Sequence, residues 1–136
     1  MRRPSIALLA VLSLLAGCST TPSTGPTPPA APFHVKRTGQ GRPVIFIPGL
    51  SSSGEVWNDA VAHLGGQYDC HVFTLAGFAG QPALSGPFLP TMRQALADYI
   101  RTQKLEKPLL VGHSLGGVLA VAVARGAPDL VGGVVG

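Results

Sequence analysis

At 136 residues the chain has room for one domain at most. Its formal net charge of +4 comes from scattered basic residues that are not interleaved with aromatics, which argues against nucleic-acid binding; two of them, Arg2 and Arg3, sit in an N-terminal leader. Two cysteines are too few for a disulfide framework, and no residue pattern calls for a metal or other cofactor.

Arg2 and Arg3 open a positive stretch, and Ile6 to Ala16 is a mostly apolar run of 11 residues. A helix needs roughly 20 such residues to span a bilayer, so the run suits a signal peptide. Leu15-Ala16-Gly17-Cys18 follows and resembles the lipobox of bacterial lipoproteins. The resemblance implies that residues 1–17 are removed, that the Cys18 thiol carries a lipid, and that the protein is exported and held on a cell-envelope membrane. Ser19, rather than an aspartate, implies sorting to the outer membrane, facing the periplasm. The alternative is an ordinary signal peptide with an incidental cysteine. Residues 19–32 contain only Ser, Thr, Pro, Gly and Ala. Such a segment buries no apolar area and stays extended, at about 3.1 Å per residue where it is polyproline-like. With Cys18 it forms a lipidated tether, 18–32, ahead of a domain over 33–136.

In the domain, Phe33 to Thr38 is predicted as a short strand, closed by the turn Gly39-Gln40-Gly41. Val44 to Ile47 is continuously apolar, the mark of a strand buried on both faces. Ser52-x-x-Glu55 has capping-box spacing, and Val56, Trp57, Ala60, Val61 and Leu64 form the apolar stripe of the helix it would open. Trp57 is expected in the core and His63 on the wet side. Cys70 to Leu75 is the next strand, with Cys70 as a packed thiol. The loop from Ala76 to Pro82 is Gly-rich, and its Phe78 suits either substrate contact or packing. Thr91-x-x-Gln94 predicts a second capped helix, whose buried stripe is Met92, Ala95, Leu96, Tyr99 and Ile100.

The most informative segment runs from Pro108 to Gly117. A short apolar run enters Gly112-His113-Ser114-Leu115-Gly116, and an apolar stretch of helical length leaves it. Strand, sharp turn, helix, with a serine at the apex, is a nucleophile elbow. Gly112 and Gly116 keep side chains out of the space the strained turn needs. Ser114 is the candidate nucleophile, and the Leu115 N–H, at the start of the helix, is aimed where an oxyanion would form. Two other readings exist. The serine could simply cap the helix, or Gly112-x-Ser114-x-x-Gly117 could bind a dinucleotide. The second lacks the middle glycine and a suitably placed acid. Leu115, Val118, Leu119, Ala122 and Val123 line the third helix, Ala127-Pro128-Asp129 ends it, and Leu130 to Val135 begins a further strand.

On these motifs the chain, from about Phe33 to Gly136, resembles the α/β-hydrolase fold superfamily, the esterase- and lipase-like serine hydrolases. The resemblance, with the alternation of strands and helices, implies an α/β fold: a doubly wound, mostly parallel sheet cut off after the strand that follows the elbow helix. It implies a second oxyanion donor in the Leu50 N–H, although Pro48-Gly49 stands where the family commonly has His-Gly. The activity implied is hydrolysis of a small-molecule, ester-like acyl substrate. Family order is serine, then acid, then histidine. After Ser114 there is only Asp129 and no histidine; His34, His63, His71 and His113 all precede it. The chain therefore reads as the inactive front portion of a longer enzyme, ending on an uncovered apolar strand. The alternative is a non-catalytic, lipid-anchored binding or scaffold protein.

Overall fold

The structure, a computed structural model, describes residues 31–64 and 66–136. The leader, Cys18 and the tether up to residue 30 lie outside the described residues. Eight elements form the domain: β1 (Phe33–Thr38), β2 (Arg42–Ile47), α1 (Asn58–His63), β3 (Tyr68–Leu75), α2 (Phe88–Thr102), β4 (Leu109–Gly112), α3 (Leu115–Gly126) and β5 (Gly133–Val135). The strands make one sheet in the order β1-β3-β2-β4-β5. β1 runs antiparallel to β3, with Phe33 opposite Leu75 and Thr38 opposite Cys70. All other pairings are parallel. This is the doubly wound, mostly parallel α/β sheet that the sequence implies.

Side chains alternate across the sheet with period two. Ile45, Ile47, Phe73, Leu75 and Leu110 therefore share one face, under Met92, Leu96 and Ile100 of α2 and Leu119 and Val123 of α3. Val44, Phe46, Cys70 and Val72 share the other, under Trp57, Val61 and Leu64. Each fully buried aliphatic or phenyl side chain contributes roughly 1.5–3 kcal/mol. The continuous apolar runs exist because both faces are covered. Trp57 packs on Phe46 with ring centroids 5.4 Å apart, and Cys70 is a buried thiol whose pKa is pushed up by burial.

Several local details differ from the sequence expectation. The first cap is Ser53, not Ser52: Ser53 Oγ accepts from the Glu55 N–H at 3.3 Å, while Ser52 Oγ donates to the Leu50 carbonyl at 3.4 Å. That cap opens a 3-10 turn over Gly54–Trp57, not an α-helix. At three residues per turn the stripe falls out of phase, so Val56 and Ala60 face solvent and only Trp57, Val61 and Leu64 pack. α2 begins at Phe88, before the proposed Thr91 cap. Pro90 is tolerated because first-turn N–H groups have no helical partner, and the Thr91 hydroxyl donates back to the Pro87 carbonyl at 2.8 Å. In α3, Val118 is exposed, while Gly116, Leu119, Ala120 and Val123 are buried. The last strand covers only Gly133–Val135, because Pro128–Leu130 forms a 3-10 turn and Leu130 and Val131 pack sideways on the core.

Candidate active site

The site is built where β4 meets α3. Ser114 sits between them with φ 53° and ψ −115°, a left-handed conformation that costs a non-glycine residue roughly 1–3 kcal/mol. A capping serine has extended backbone and accepts a hydrogen bond from the helix. Ser114 does neither, and its side chain is exposed. The geometry is that of an elbow, not of a cap.

The turn is held from both sides. The His113 N–H donates to the Ile47 carbonyl at 3.1 Å, the Gly116 N–H to His113 O at 2.9 Å and the Val118 N–H to Ser114 O at 3.1 Å. The glycines have the steric role expected of them. A Cβ on Gly112 would strike the backbone of Gly116 and Gly117, and a Cβ on Gly116 would strike the carbonyls of Ile47 and Pro48. The first turn of α3 thus lies directly on the loop that leaves β2. In that loop Gly49 faces His113: a Cβ there would come within 2.9 Å of His113 Nδ1. Ser51 has φ 58°, and the Ser52 N–H donates to Gly49 O at 3.3 Å, so the loop turns sharply around Leu50. Loop and elbow are pressed together at one end of the sheet, with Leu50 on one segment and Leu115 on the other. No described backbone carbonyl accepts from the N–H of Leu50 or Leu115. Ser114 is exposed, and a cavity of about 430 Å³ behind the loop, lined in part by Ser53, Glu55 and Thr74, does not include it.

The remaining residues with acid or base chemistry lie elsewhere. Asp129 follows α3, beside Leu105, Glu106 and Lys107, at the end of the sheet opposite Ser114. His34 and His63 are exposed on β1 and α1. His113 is exposed and flanks the apex, but its ring is turned toward Gly49. Phe78 packs against Phe88, ring centroids 5.6 Å apart, and is half-buried.

A polar cluster not expected from sequence joins β1, β3 and α2. Arg37 makes a bidentate pair with Asp69, both hydrogen bonds at 2.7 Å. His71 is fully buried; its Nδ1 is 2.7 Å from the Tyr99 hydroxyl. Nε2 lies 3.2 Å from Asp69 Oδ2, too poorly aligned for a good hydrogen bond. A neutral ring protonated on Nε2 suits both neighbours, with Tyr99 donating to Nδ1. The Arg37 hydrogen bond holds the Asp69 carboxyl below its ordinary range. Burial lowers the His71 pKa and outweighs the Asp69 charge, which raises it. The sequence signal was two polar residues at i and i+2 on one face of an otherwise apolar strand.

Both shifts act in one direction. Folded Asp69 stays charged, and folded His71 stays neutral, to lower pH than when unfolded, so the unfolded chain binds more protons on acidification. His71 begins to cost stability below its ordinary value of 6.5, and Asp69 below 3.8. Urea midpoints should fall between pH 7 and pH 5, with a shallower fall in His71→Gln. An equal slope in the variant would remove His71 from this account.

Comparison with known proteins agrees with this geometry. The sequence profile described as Alpha/beta hydrolase family matches residues 44–136. The pimeloyl-(acyl-carrier protein) methyl ester esterase of Aliivibrio salmonicida (strain LFI1238) is 36% identical over 94 residues, which cover 68% of this chain and 34% of the esterase. Among solved structures, E-2-(acetamidomethylene)succinate hydrolase matches with a TM-score of 0.70 at 27% identity, over 75% of this chain and 38% of that one. A malate-bound thermophilic esterase from Thermogutta terrifontis matches at 0.68 and 28% identity, again over 75% of this chain and 38% of that one. The chain thus spans little more than a third of the length of these relatives. With the profile match covering well over half of its residues and an elbow serine at the junction of β4 and α3, the chain belongs to the Alpha/beta hydrolase family.

Proposed function

We propose that this chain carries the nucleophile and oxyanion hole of a serine hydrolase that cleaves ester-like acyl compounds. The observation that supports this most is the backbone of Ser114, an exposed serine held at positive φ between strand and helix. The hydroxyl oxygen attacks the acyl carbon and its proton passes to a base. The N–H groups of Leu50 and Leu115 stabilise the oxyanion that results. Collapse expels the leaving group, which takes the proton back, and water then releases the acyl group from Ser114 by the same steps. The base and the acid that orients it belong to further polypeptide of a longer protein. That reading is supported by the 34% coverage of the esterase and by Asp129 lying at the wrong end of the sheet. The 136-residue chain by itself is therefore inactive. In the longer protein a fluorophosphonate should label Ser114 and fail to label Ser114→Ala; unchanged labelling of the variant would overturn the assignment.

The location proposed is a lipid anchor at Cys18 on the outer membrane, facing the periplasm, supported by the charged start, the short apolar run, Leu15-Ala16-Gly17-Cys18 and the Pro-rich tether. Metabolic labelling with a tagged fatty acid should mark the wild type and be lost in Cys18→Ser. Equal labelling of both would refute the anchor.

A further inference from the structure

β1 differs from the rest of the sheet in direction, and this decides where the tether joins the domain. Because β1 is antiparallel to β3, its first residue, Phe33, lies opposite Leu75, at the end where the parallel strands finish. That is the end that carries Ser114. The last tether residue is fixed there too, since the Ala76 N–H donates to Pro32 O at 3.0 Å. β1 and β4 are three strand spacings apart in the sheet order, so at about 4.8 Å each the tether root lies about 14 Å across the sheet from the elbow.

The same end is where apolar side chains are left in water. Among the described residues, six large hydrophobics are markedly exposed: Leu50, Val56, Leu89, Val118, Val121 and Val135, at 43–64%. Four within the chain belong to this end. Leu50 is in the loop after β2. Val56 is in the 3-10 turn behind it, which is tied to the end of β3 by the Gly54 N–H on Thr74 Oγ1 at 2.9 Å. Leu89 is in the first turn of α2 and Val118 in the first turn of α3. Val135, opposite Val111 on the edge strand, stands beside Gly136, the last residue of the sequence, and is not counted in the rim. Only Val121, a turn further along α3, lies away from them. Five charged residues lie away from the rim. Arg42 opens β2; Lys104, Glu106 and Lys107 precede β4; Asp129 precedes β5. All five lie at the opposite end. The rim is not free of polar groups: Glu55, beside Val56, and His34 and His113 are exposed at the same end, so the apolar contacts would be made by separate side chains, as at an interfacial rim.

We infer that the Ser114 end of the domain is a lipid-contact surface, laid on the same bilayer that holds Cys18. The inference rests on the lipid anchor proposed above. The point where the tether joins the domain, Pro32, lies at the same end as the rim. The apolar rim sets the orientation. The elbow then opens toward acyl groups borne by the membrane.

The test uses the lipidated full chain in phosphatidylcholine vesicles containing a nitroxide-headgroup lipid. Fluorescent labels are placed at Val56→Cys and Leu89→Cys on the rim and at Lys104→Cys and Lys107→Cys at the far end; Cys70 is buried and supplies the background from unsubstituted protein. Labels at 56 and 89 should lose most of their emission, and labels at 104 and 107 should keep theirs. The double variant Leu50→Glu/Val118→Glu, carrying the same labels, should abolish the asymmetry while still incorporating fatty acid, and Val121→Glu should preserve it. Equal or reversed quenching in fatty-acid-labelled protein overturns the orientation alone. Absence of fatty acid from the wild type overturns the anchor and the orientation with it. If labels 56 and 89 escape lipid quenching but are shielded from aqueous iodide in the longer protein, the rim is covered by the remaining polypeptide and the inference fails.

Discussion

Replacing Ser114 by alanine in the longer protein should reduce ester turnover by about a million-fold, the scale seen when a nucleophile is removed from a serine hydrolase. The measurement is kcat on a p-nitrophenyl ester, with a fluorophosphonate titration to count active serines. A fall of only ten-fold would mean that another group does the chemistry. The chain that ends at Gly136 should give no Ser114-dependent turnover, since an unassisted hydroxyl is a weak nucleophile. A second readout separates this from simple misfolding. Ser114 sits at φ 53° and ψ −115° without a capping hydrogen bond, so Ser114→Gly should relieve strain. Strain of this kind is about 1–3 kcal/mol, and glycine returns about 0.5–1 kcal/mol of it through its own chain entropy. A net stabilisation of about 1 kcal/mol, with activity abolished, is the expected pair of results in urea unfolding and turnover.

The largest stability effect should come from the elbow glycines, and two neighbours provide the contrast. A Cβ at Gly116 meets the carbonyls of Ile47 and Pro48, which are backbone and cannot swing aside. Gly116→Ala should cost about 3 kcal/mol, the upper end for overpacking, and displace the loop that carries Leu50. At Gly117 the nearest atom to a Cβ is Gly112 O at 3.4 Å, an ordinary contact. Gly117→Ala should be neutral or stabilise by up to about 1 kcal/mol through helix propensity. Chemical unfolding of the two variants decides it; similar losses would mean that the packing of α3 on the loop is not the constraint described.

Steric rules make the elbow legible in the sequence. Gly-x-Ser-x-Gly between an apolar strand and an apolar helix has one compact solution, and Gly112, Ser114, Leu115 and Gly116 occupy it. The buried strands were equally legible, because a sheet covered on both faces leaves continuous apolar runs such as Val44 to Ile47. Helix starts were harder. Ser52 and Ser53 are adjacent, and which hydroxyl caps depends on the direction in which the loop arrives from Pro48, which is not a local property. Thr91 has cap-like spacing, yet the core needs Phe88 inside the helix, and the hydroxyl turns back on Pro87. The Arg37, Asp69, His71 and Tyr99 cluster was only half legible, for a related reason: Asp69 and His71 mark one face of β3, but their partners are distant in sequence. Its members lie 28 to 32 positions apart across each bond, and only the register of β1 on β3 and the packing of α2 bring them together.

The contact between Gly116 and the Ile47–Pro48 backbone also bears on what substitution can change. Two chain segments that touch through main chain alone leave no side chain to alter at their junction, so substitutions elsewhere should leave the spacing between Leu50 and Leu115 unchanged. The adjustable parts are the side chains that point away from it. Leu50 and Val118 are exposed, and each can be exchanged for a larger, smaller or polar residue without moving the N–H groups beneath. If the proposed oxyanion hole holds, changes in the acyl group accepted should follow from side chains such as these and from the loop over 76–87, with the backbone contact beneath them unchanged.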